Sequence, residues 1–490
     1  MLFNTIDFIV FFVFVLAAII AIKNKKFQHL FILGASYFFF YYTSNYLITL
    51  LIFSTLLDYF VGDQIWKAKL IARKKMLLAL SLIGNLSLLG FFKYTDFAIT
   101  EFNALFRTVG IDDIPLLEIA LPVGISFYTF QSMSYTIDIY RGKLEPSKSL
   151  GEFALFVAFF PQLVAGPILR ASNFLPQLRE KISEINSNMN LKQILVQSAS
   201  LKLGITIMAF GFFKKMFFAD NLAPFVDELF FNPIGLESFA IILGTIGFGI
   251  QLYCDFSGYS DIAIGAALIL GFKIPANFNF PFFATSPTEF WRRWHISLST
   301  WVKDYLFYPM VFNDKTSKMR IFVSLFTTLF LIGIWHGAGW NFVIYGVIHG
   351  FYVSIDSTIR SKFPSITSNI FFRSKIGKIT SILVTQYLIF LSFLSFRIHD
   401  LDHLTYSIQK FVIFDFQMDG IFSFILEHKL PLSLIVLFVI LHFVSYNNSN
   451  LRQRIADLKL RYWVIFLTII MIAIIFFYDA NPRDFIYFKF

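Results

Sequence analysis

The stretch SPTEFWRRWHISLSTWVKDYLFYP, residues 286–309, governs how the rest of the chain is read. Ser286 and Glu289 stand three apart with Pro287 between them, the spacing of a capping box with proline at the first helical position. That spacing predicts a helix starting at Pro287. With 3.6 residues per turn, Trp291, Trp294, His295, Leu298, Trp301, Val302 and Tyr305 share one face. Arg292, Arg293, Ser299, Thr300, Lys303 and Asp304 share the other. A helix with cations on one side and three tryptophans opposite suits the headgroup boundary of a bilayer. His295 is the ionisable member of the aromatic face. It is either a core histidine satisfied by a hydrogen bond or a functional group.

The surrounding chain supports a membrane reading. Of 490 residues, 57% are hydrophobic and 15% charged, against about 25% charged in a soluble domain. The mean hydropathy is +0.67. Many apolar runs are continuous and long enough for a hydrocarbon core that takes about 20 helical residues to cross. A transmembrane barrel would alternate instead. The fold class expected is therefore an all-α polytopic membrane protein. The net charge of +10 fits basic loops on the cytoplasmic side and does not imply nucleic-acid binding. A single cysteine, Cys254, excludes an intrachain disulfide and a thiolate metal cluster.

Apolar runs at 6–22, 30–42, 46–61, 76–92, 121–137, 201–218, 240–256, 321–334, 342–355, 382–396, 432–444 and 463–477 are read as crossings, about 11 to 12 in all. Residues 153–168 are broken by Pro161, Gly166 and Pro167 and read as re-entrant, with their non-helical backbone covered by protein. Residues 258–271 read as a short glycine-rich continuation. No basic residue precedes the first run, whereas Lys23, Lys25 and Lys26 follow it, so it reads as a retained span. The basic groups Lys67–Lys75, Arg141–Lys148, Lys315–Arg320 and Arg360–Lys378 then fall on one side. This places them in the cytoplasm and both termini outside. With no linker or repeat in view, residues 1–490 are expected to form one membrane-embedded domain.

Ionisable groups inside apolar segments are functional suspects. Asp255 and Asp261 bracket DFSGYSD; the plainer reading is a pair of helix-capping carboxylates. His336 lies in WHGAGWN, residues 335–341, between two spans. Its glycines allow close backbone approach, and an imidazole accepts a proton near neutral pH as a general base must. His349, His29, His428 and His442 read as structural. The pair His399 and His403 has zinc-like spacing but no third ligand. Gly244, Gly247 and Gly249 read as helix packing. No Walker motif or nucleophile elbow is present.

Six ordered pieces carry a resemblance: LPVGISFYTFQSMSYTIDIYRG (121–142), FPQLVAGPI (160–168), DFSGYSDIAIG (255–265), FWRRWHISLSTWVKDYLFYP (290–309), WHGAGWNFVIYG (335–346) and FIYFKF (485–490). Together they resemble the membrane-bound O-acyltransferase family, in the branch of bacterial alginate O-acetyltransferase membrane subunits. The sister branch of teichoic-acid D-alanyl transfer proteins shares the architecture. Two segments depart from the family pattern, MVFNDKTS (310–317) and SFRIHD (395–400).

The resemblance implies transmembrane, re-entrant and amphipathic helices ringed around a thin central region that holds an acyl-transfer site. It implies His336 as the catalytic histidine and His295 as its companion. Substrate-binding candidates are Arg292, Arg293, Trp294, Lys303, Asp255, Asp261, Trp335 and Asn341. No bound cofactor or metal is expected. The implied donor is acetyl-CoA, and the implied acceptor a polysaccharide outside a bacterial inner membrane. An exported SGNH-hydrolase-like partner is implied as intermediary. The rival readings are D-alanyl transfer to teichoic acid, a non-catalytic transporter of an acylated lipid or glycan, and an envelope scaffold.

Overall fold

A computed structural model describes residues 1–22, 24–163, 166–183, 198–312, 317–365, 369–415, 420–478 and 483–488. Lys23 and Lys315, used above to orient loops, lie outside the described residues, as do parts of the 160–168, 310–317 and 485–490 motifs and the side chain of Lys181. Among the described residues every regular element is helical. Seven helical stretches are long and apolar enough to cross a membrane: Phe27–Lys67, Ile71–Val109, Ser238–Ile269, Lys318–His336, Trp340–Lys362, Lys375–Arg397 and Lys429–Asn447. The first of these holds two helices, Lys25–Ser44 and Ile48–Lys67. Shorter apolar helices occupy Ile6–Ala21 and Leu460–Phe476.

Exposure runs opposite to that of a soluble protein. The helix Leu460–Phe476 buries Trp463 and exposes Ile465, Ile469, Ile472 and Phe476, the last at 81%. Large apolar side chains in such numbers face out only where the solvent is lipid. The chain is a multi-pass membrane protein.

By contact it divides into two compact units. The first comprises residues 1–208 and 262–275. Its helix Ile71–Phe106 has 36 residues, roughly 54 Å at 1.5 Å per residue. That exceeds a hydrocarbon core of about 30 Å, and Asp96 and Glu101 lie on the C-terminal part of the helix. A buried polar network joins three helices of this unit. Asp58 accepts from Ser81 Oγ (2.6 Å) and Asn85 Nδ2 (2.8 Å), and Asn85 Oδ1 accepts from Ser54 Oγ (2.6 Å). Ser132 and Thr136 of a third helix reach the same cluster. With no hydrophobic drive between helices in lipid, such bonds fix which faces meet.

Over the segment expected to be re-entrant, the described residues form two short helices, Leu150–Ala158 and Phe160–Leu163. Nine residues span about 13 Å, too little to cross alone. Its break is covered by protein. The Phe156 carbonyl accepts from Gln131 Nε2, and the Phe160 amide donates to Ser36 Oγ at 3.2 Å.

The second unit comprises residues 209–261 and 276–490. Residues 258–269 do continue the preceding span: the helix Ser238–Ile269 runs unbroken for 32 residues. Gly244, Gly247 and Gly249 sit on it where a Cβ would meet Leu229, Phe225 and Phe390, so they serve packing. The run 286–309 is not one helix. It is Pro287–Arg293, Ile296–Val302, a π-helical turn Lys303–Phe307 and Tyr308–Val311. Its tryptophans are not boundary anchors either. Trp291, Trp294 and Trp301 are all buried, because the break turns the aromatic face into the protein.

Candidate active site

His336 is the last residue of the helix Lys318–His336, and the next helix begins at Trp340. The two meet backbone to backbone: a Cβ on Gly333 would lie 2.3 Å from the Gly346 Cα. The link is extended, so Gly337 is required by space and not by torsion; its Cβ would fall 2.0 Å from the Phe342 ring. This tight hairpin fixes where His336 can be. The imidazole is buried and faces Trp335 (5.0 Å), Phe396 (5.1 Å), Tyr487 (5.6 Å) and Tyr345 (5.7 Å) between ring centroids.

His295 sits at the break between Pro287–Arg293 and Ile296–Val302. The cap expected at Ser286 is formed, with its hydroxyl accepting from the Glu289 amide at 3.2 Å. The reciprocal arm goes one residue further back, Glu289 Oε2 accepting from the Thr285 amide at 2.8 Å. His295 itself has φ 44° and ψ 54°, a left-handed conformation that costs about 1–3 kcal/mol outside glycine. Asn277 holds it there. Its carbonyl accepts from the Ile296 amide at 2.9 Å. Its side-chain Oδ1 accepts from the Ser297 amide (3.2 Å) and hydroxyl (2.9 Å), and lies 3.1 Å from His295 Nδ1. An amide N–H can only donate, so the atom facing it is the oxygen. His295 Nδ1 therefore carries the proton, and Nε2 is the basic nitrogen of the neutral ring. Burial pushes this histidine down to about 3, so the ring is neutral at physiological pH.

The two histidines belong to one closed circuit of rings. His295 meets Phe256 at 4.6 Å, Phe256 meets Tyr487 at 4.8 Å, and Tyr487 meets His336 at 5.6 Å. His336 meets Trp335 at 5.0 Å, and Trp335 returns to His295 at 6.2 Å. Two buried imidazoles among aromatic rings are suited to moving a proton during attack of a hydroxyl on an acyl carbon.

The circuit gathers His336, His295 and Trp335 and leaves the other sequence candidates elsewhere. Trp294 stacks on Phe290 (5.4 Å, 18°). Asn341 donates to the Ser395 carbonyl at 3.0 Å, bracing two helices. Asp261 receives a bidentate Arg452 at 2.9 and 2.8 Å and also Lys214. Asp255 pairs with Lys215 at 2.7 Å. Both carboxylates lie within the helix Ser238–Ile269, so neither caps an end. Arg293 is committed to Glu289 (2.7 Å) and the Asn279 carbonyl (3.2 Å). Lys303 lies over the Tyr308 ring at 5.5 Å. Arg292 is exposed.

Sequence reasoning did not single out Phe256, Tyr487, Tyr345, Phe396 or Asn277. Tyr487 was inside a quoted motif, but nothing in FIYFKF says which ring it will meet. The π-helical turn Phe213–Ala219 was also unread. It brings Lys214 and Lys215 to Asp261 and Asp255, and such turns often mark functional sites.

The sequence model of the membrane-bound O-acyltransferase family matches residues 145–394, which include both histidines. The chain is 37% identical over 363 residues to "Probable alginate O-acetylase AlgI" of Azotobacter vinelandii, covering 74% of this chain and 69% of that one. It is 36% identical over 404 residues to "Peptidoglycan O-acetyltransferase" of Helicobacter pylori, covering 78% and 73%. To "Teichoic acid D-alanyltransferase" of Streptococcus thermophilus it is 30% identical over 291 residues, covering 56% and 68%. With paired buried histidines on a polytopic helical frame, and with that extent of similarity, the chain belongs to the membrane-bound O-acyltransferase family and is a membrane O-acyltransferase.

Proposed function

We propose that this protein transfers an acetyl group from a cytoplasmic thioester, acetyl-CoA, to a hydroxyl on the other side of a bacterial inner membrane, for O-acetylation of a polysaccharide. The observation that carries this reading is the ring circuit that joins two buried histidines through the single ring of Trp335. His336 takes the hydroxyl proton as oxygen attacks the thioester carbonyl; the C–O bond forms, the C–S bond breaks, and the thiolate leaves with the donor. Such proton transfer contributes on the order of 10² to 10⁴ in rate. His295, with its proton fixed on Nδ1, offers Nε2 as an acceptor that orients a donor or acceptor group. Arg292 and Lys303 meet the anionic phosphates of the thioester at the inner rim.

The polysaccharide acceptor is supported by the relatives named for alginate and peptidoglycan O-acetylation. An exported SGNH-hydrolase-like protein is the proposed intermediary. Residues 1–490 act as one membrane-embedded catalytic domain, with the basic loops in the cytoplasm and both termini outside. The test is acetyl-CoA turnover by the protein in lipid nanodiscs. Turnover should be lost in His336→Ala, with expression and membrane insertion near normal. Wild-type turnover in that variant would remove His336 from the mechanism. Turnover of a D-alanyl thioester in place of acetyl-CoA would move the protein to the D-alanyl branch.

A further inference from the structure

We propose that Asp255, held by Lys215, is a positioning group that latches residues 483–488 against the site and so places Tyr487 beside His336. This rests on the acyltransfer reading above. Asp255 is buried and divides its two oxygens. Oδ1 pairs with Lys215 Nζ at 2.7 Å, and Oδ2 accepts the Ile486 amide at 2.7 Å. Lys215 is 2% exposed and spreads its ammonium over three acceptors: Asp255, Asp220 Oδ1 at 2.8 Å, and the Asp484 carbonyl at 3.4 Å. An ammonium has three donors, and three acceptor oxygens surround this one. Two of the four contacts made by Asp255 and Lys215 thus go to the backbone of residues 483–488, at Asp484 and Ile486.

The same helical turn adds rings to the charge. Phe256, next to Asp255, meets both Phe485 (5.7 Å) and Tyr487 (4.8 Å). Tyr259 meets Phe485 at 4.6 Å. A second tether lies one residue before Asp484: Arg483 Nη1 donates to Asp227 Oδ2 at 2.7 Å, while Arg397 takes the other oxygen at 2.9 Å. Carboxylates this deep are expensive in a membrane unless paired. Here the paired carboxylate also fixes a backbone amide adjacent to Tyr487, whose ring closes the circuit between Phe256 and His336. Asp255 therefore acts through the segment it holds and not by touching substrate. A cavity of about 80 Å³, bordered by Lys215, Asp220, Asp255, Asp484 and Ile486, lies along the latch.

The protein is studied in nanodiscs with 3-fluorotyrosine at position 487, read by ¹⁹F NMR and by acetyl-CoA turnover. In Asp255→Ala the fluorine resonance should move toward its solvent-exposed position, and kcat should fall about 10²-fold, the effect of a misplacement of roughly 1 Å. KM for acetyl-CoA should stay within about twofold, as expected when transition-state and not ground-state interactions are lost. Asp255→Asn keeps an acceptor for the Ile486 amide and should recover part of both signals. Arg452→Ala, which removes the bidentate partner of Asp261, should leave the resonance in place. If Asp255→Ala does not insert, the Asn variant with Lys215→Gln carries the same comparison. An unmoved resonance in the folded variants overturns the latch, as does a rise in KM with kcat unchanged, which would make Asp255 a substrate-binding group. If wild-type protein turns over no thioester, the functional reading fails, and the resonance still decides whether Asp255 holds the segment.

Discussion

Trp291 Nε1 donates to His349 Nδ1 at 3.1 Å. An indole nitrogen can only donate, so Nδ1 accepts and the proton of the neutral ring sits on Nε2. That nitrogen lies 2.9 Å from Ser392 Oγ, and the hydroxyl donates in turn to the Ile389 carbonyl at 2.6 Å. Both ring nitrogens of His349 are thereby committed. His349→Phe should fill the same space and strand the Trp291 indole N–H, lowering stability by about 1–3 kcal/mol. Thermal unfolding should show the loss, while turnover by the folded fraction stays near wild type. Lost turnover at an unchanged melting temperature would give this ring a chemical role.

Asn277 is expected to matter as much to the site as the histidine it orients. Asn277→Ala removes the acceptor shared by His295 and Ser297 and should lower stability by about 1–3 kcal/mol. Asn277→Asp places a negative charge against His295 Nδ1 and favours the imidazolium. The wild-type ring, pushed down to about 3 by burial, stays neutral as pH falls through the weakly acidic range. In Asn277→Asp the pKa is raised, so Nε2 becomes protonated at a higher pH and turnover should fall there. A pH–rate profile of the two proteins distinguishes them; identical acid limbs would remove His295 Nε2 from the reaction.

The hairpin that presents His336 depends on bare backbone. Gly333→Ala would bring a methyl to 2.3 Å from the Gly346 Cα, with no flexible side chain to give way. Overpacking of this kind costs about 1–3 kcal/mol, and the displacement should reach His336 three residues on. We expect reduced thermal stability together with reduced kcat. A Gly333→Ala protein with unchanged kcat would show that the helix end is positioned by other contacts.

The two adjacent arginines should not behave alike. Arg293 is engaged by Glu289 and the Asn279 carbonyl, whereas Arg292 is exposed. Arg292→Gln should raise KM for acetyl-CoA and blunt its rise with salt, because exposed charges are screened over roughly 8 to 10 Å. Arg293→Gln should act on stability more than on KM. Equal kinetic silence of both would mean that the donor approaches elsewhere.

The membrane class, the helical architecture and the cap at Ser286 were legible in the sequence, and it also singled out His336 and His295 as candidates. Each depends on local or additive properties: run length, hydropathy, residue spacing, and an ionisable group placed where lipid would exclude it. The continuous helix assumed over 287–308 was not, because periodicity treats every residue as helical. His295 leaves that conformation only since Asn277, 18 positions earlier, supplies the bonds that hold a left-handed turn. The role of the tryptophans changed with it, from boundary anchors to core.

Residue type and spacing thus determined what chemistry this chain carries and in what solvent it folds. Only the tertiary structure decided which groups meet: Phe256 and Tyr487 between the two histidines, and Asp255 on the backbone of Ile486, 231 positions away. Hydropathy falls off within a helical turn, whereas a ring contact or a shared carboxylate joins segments of any separation. No pattern along the chain encodes that pairing until the helices have packed.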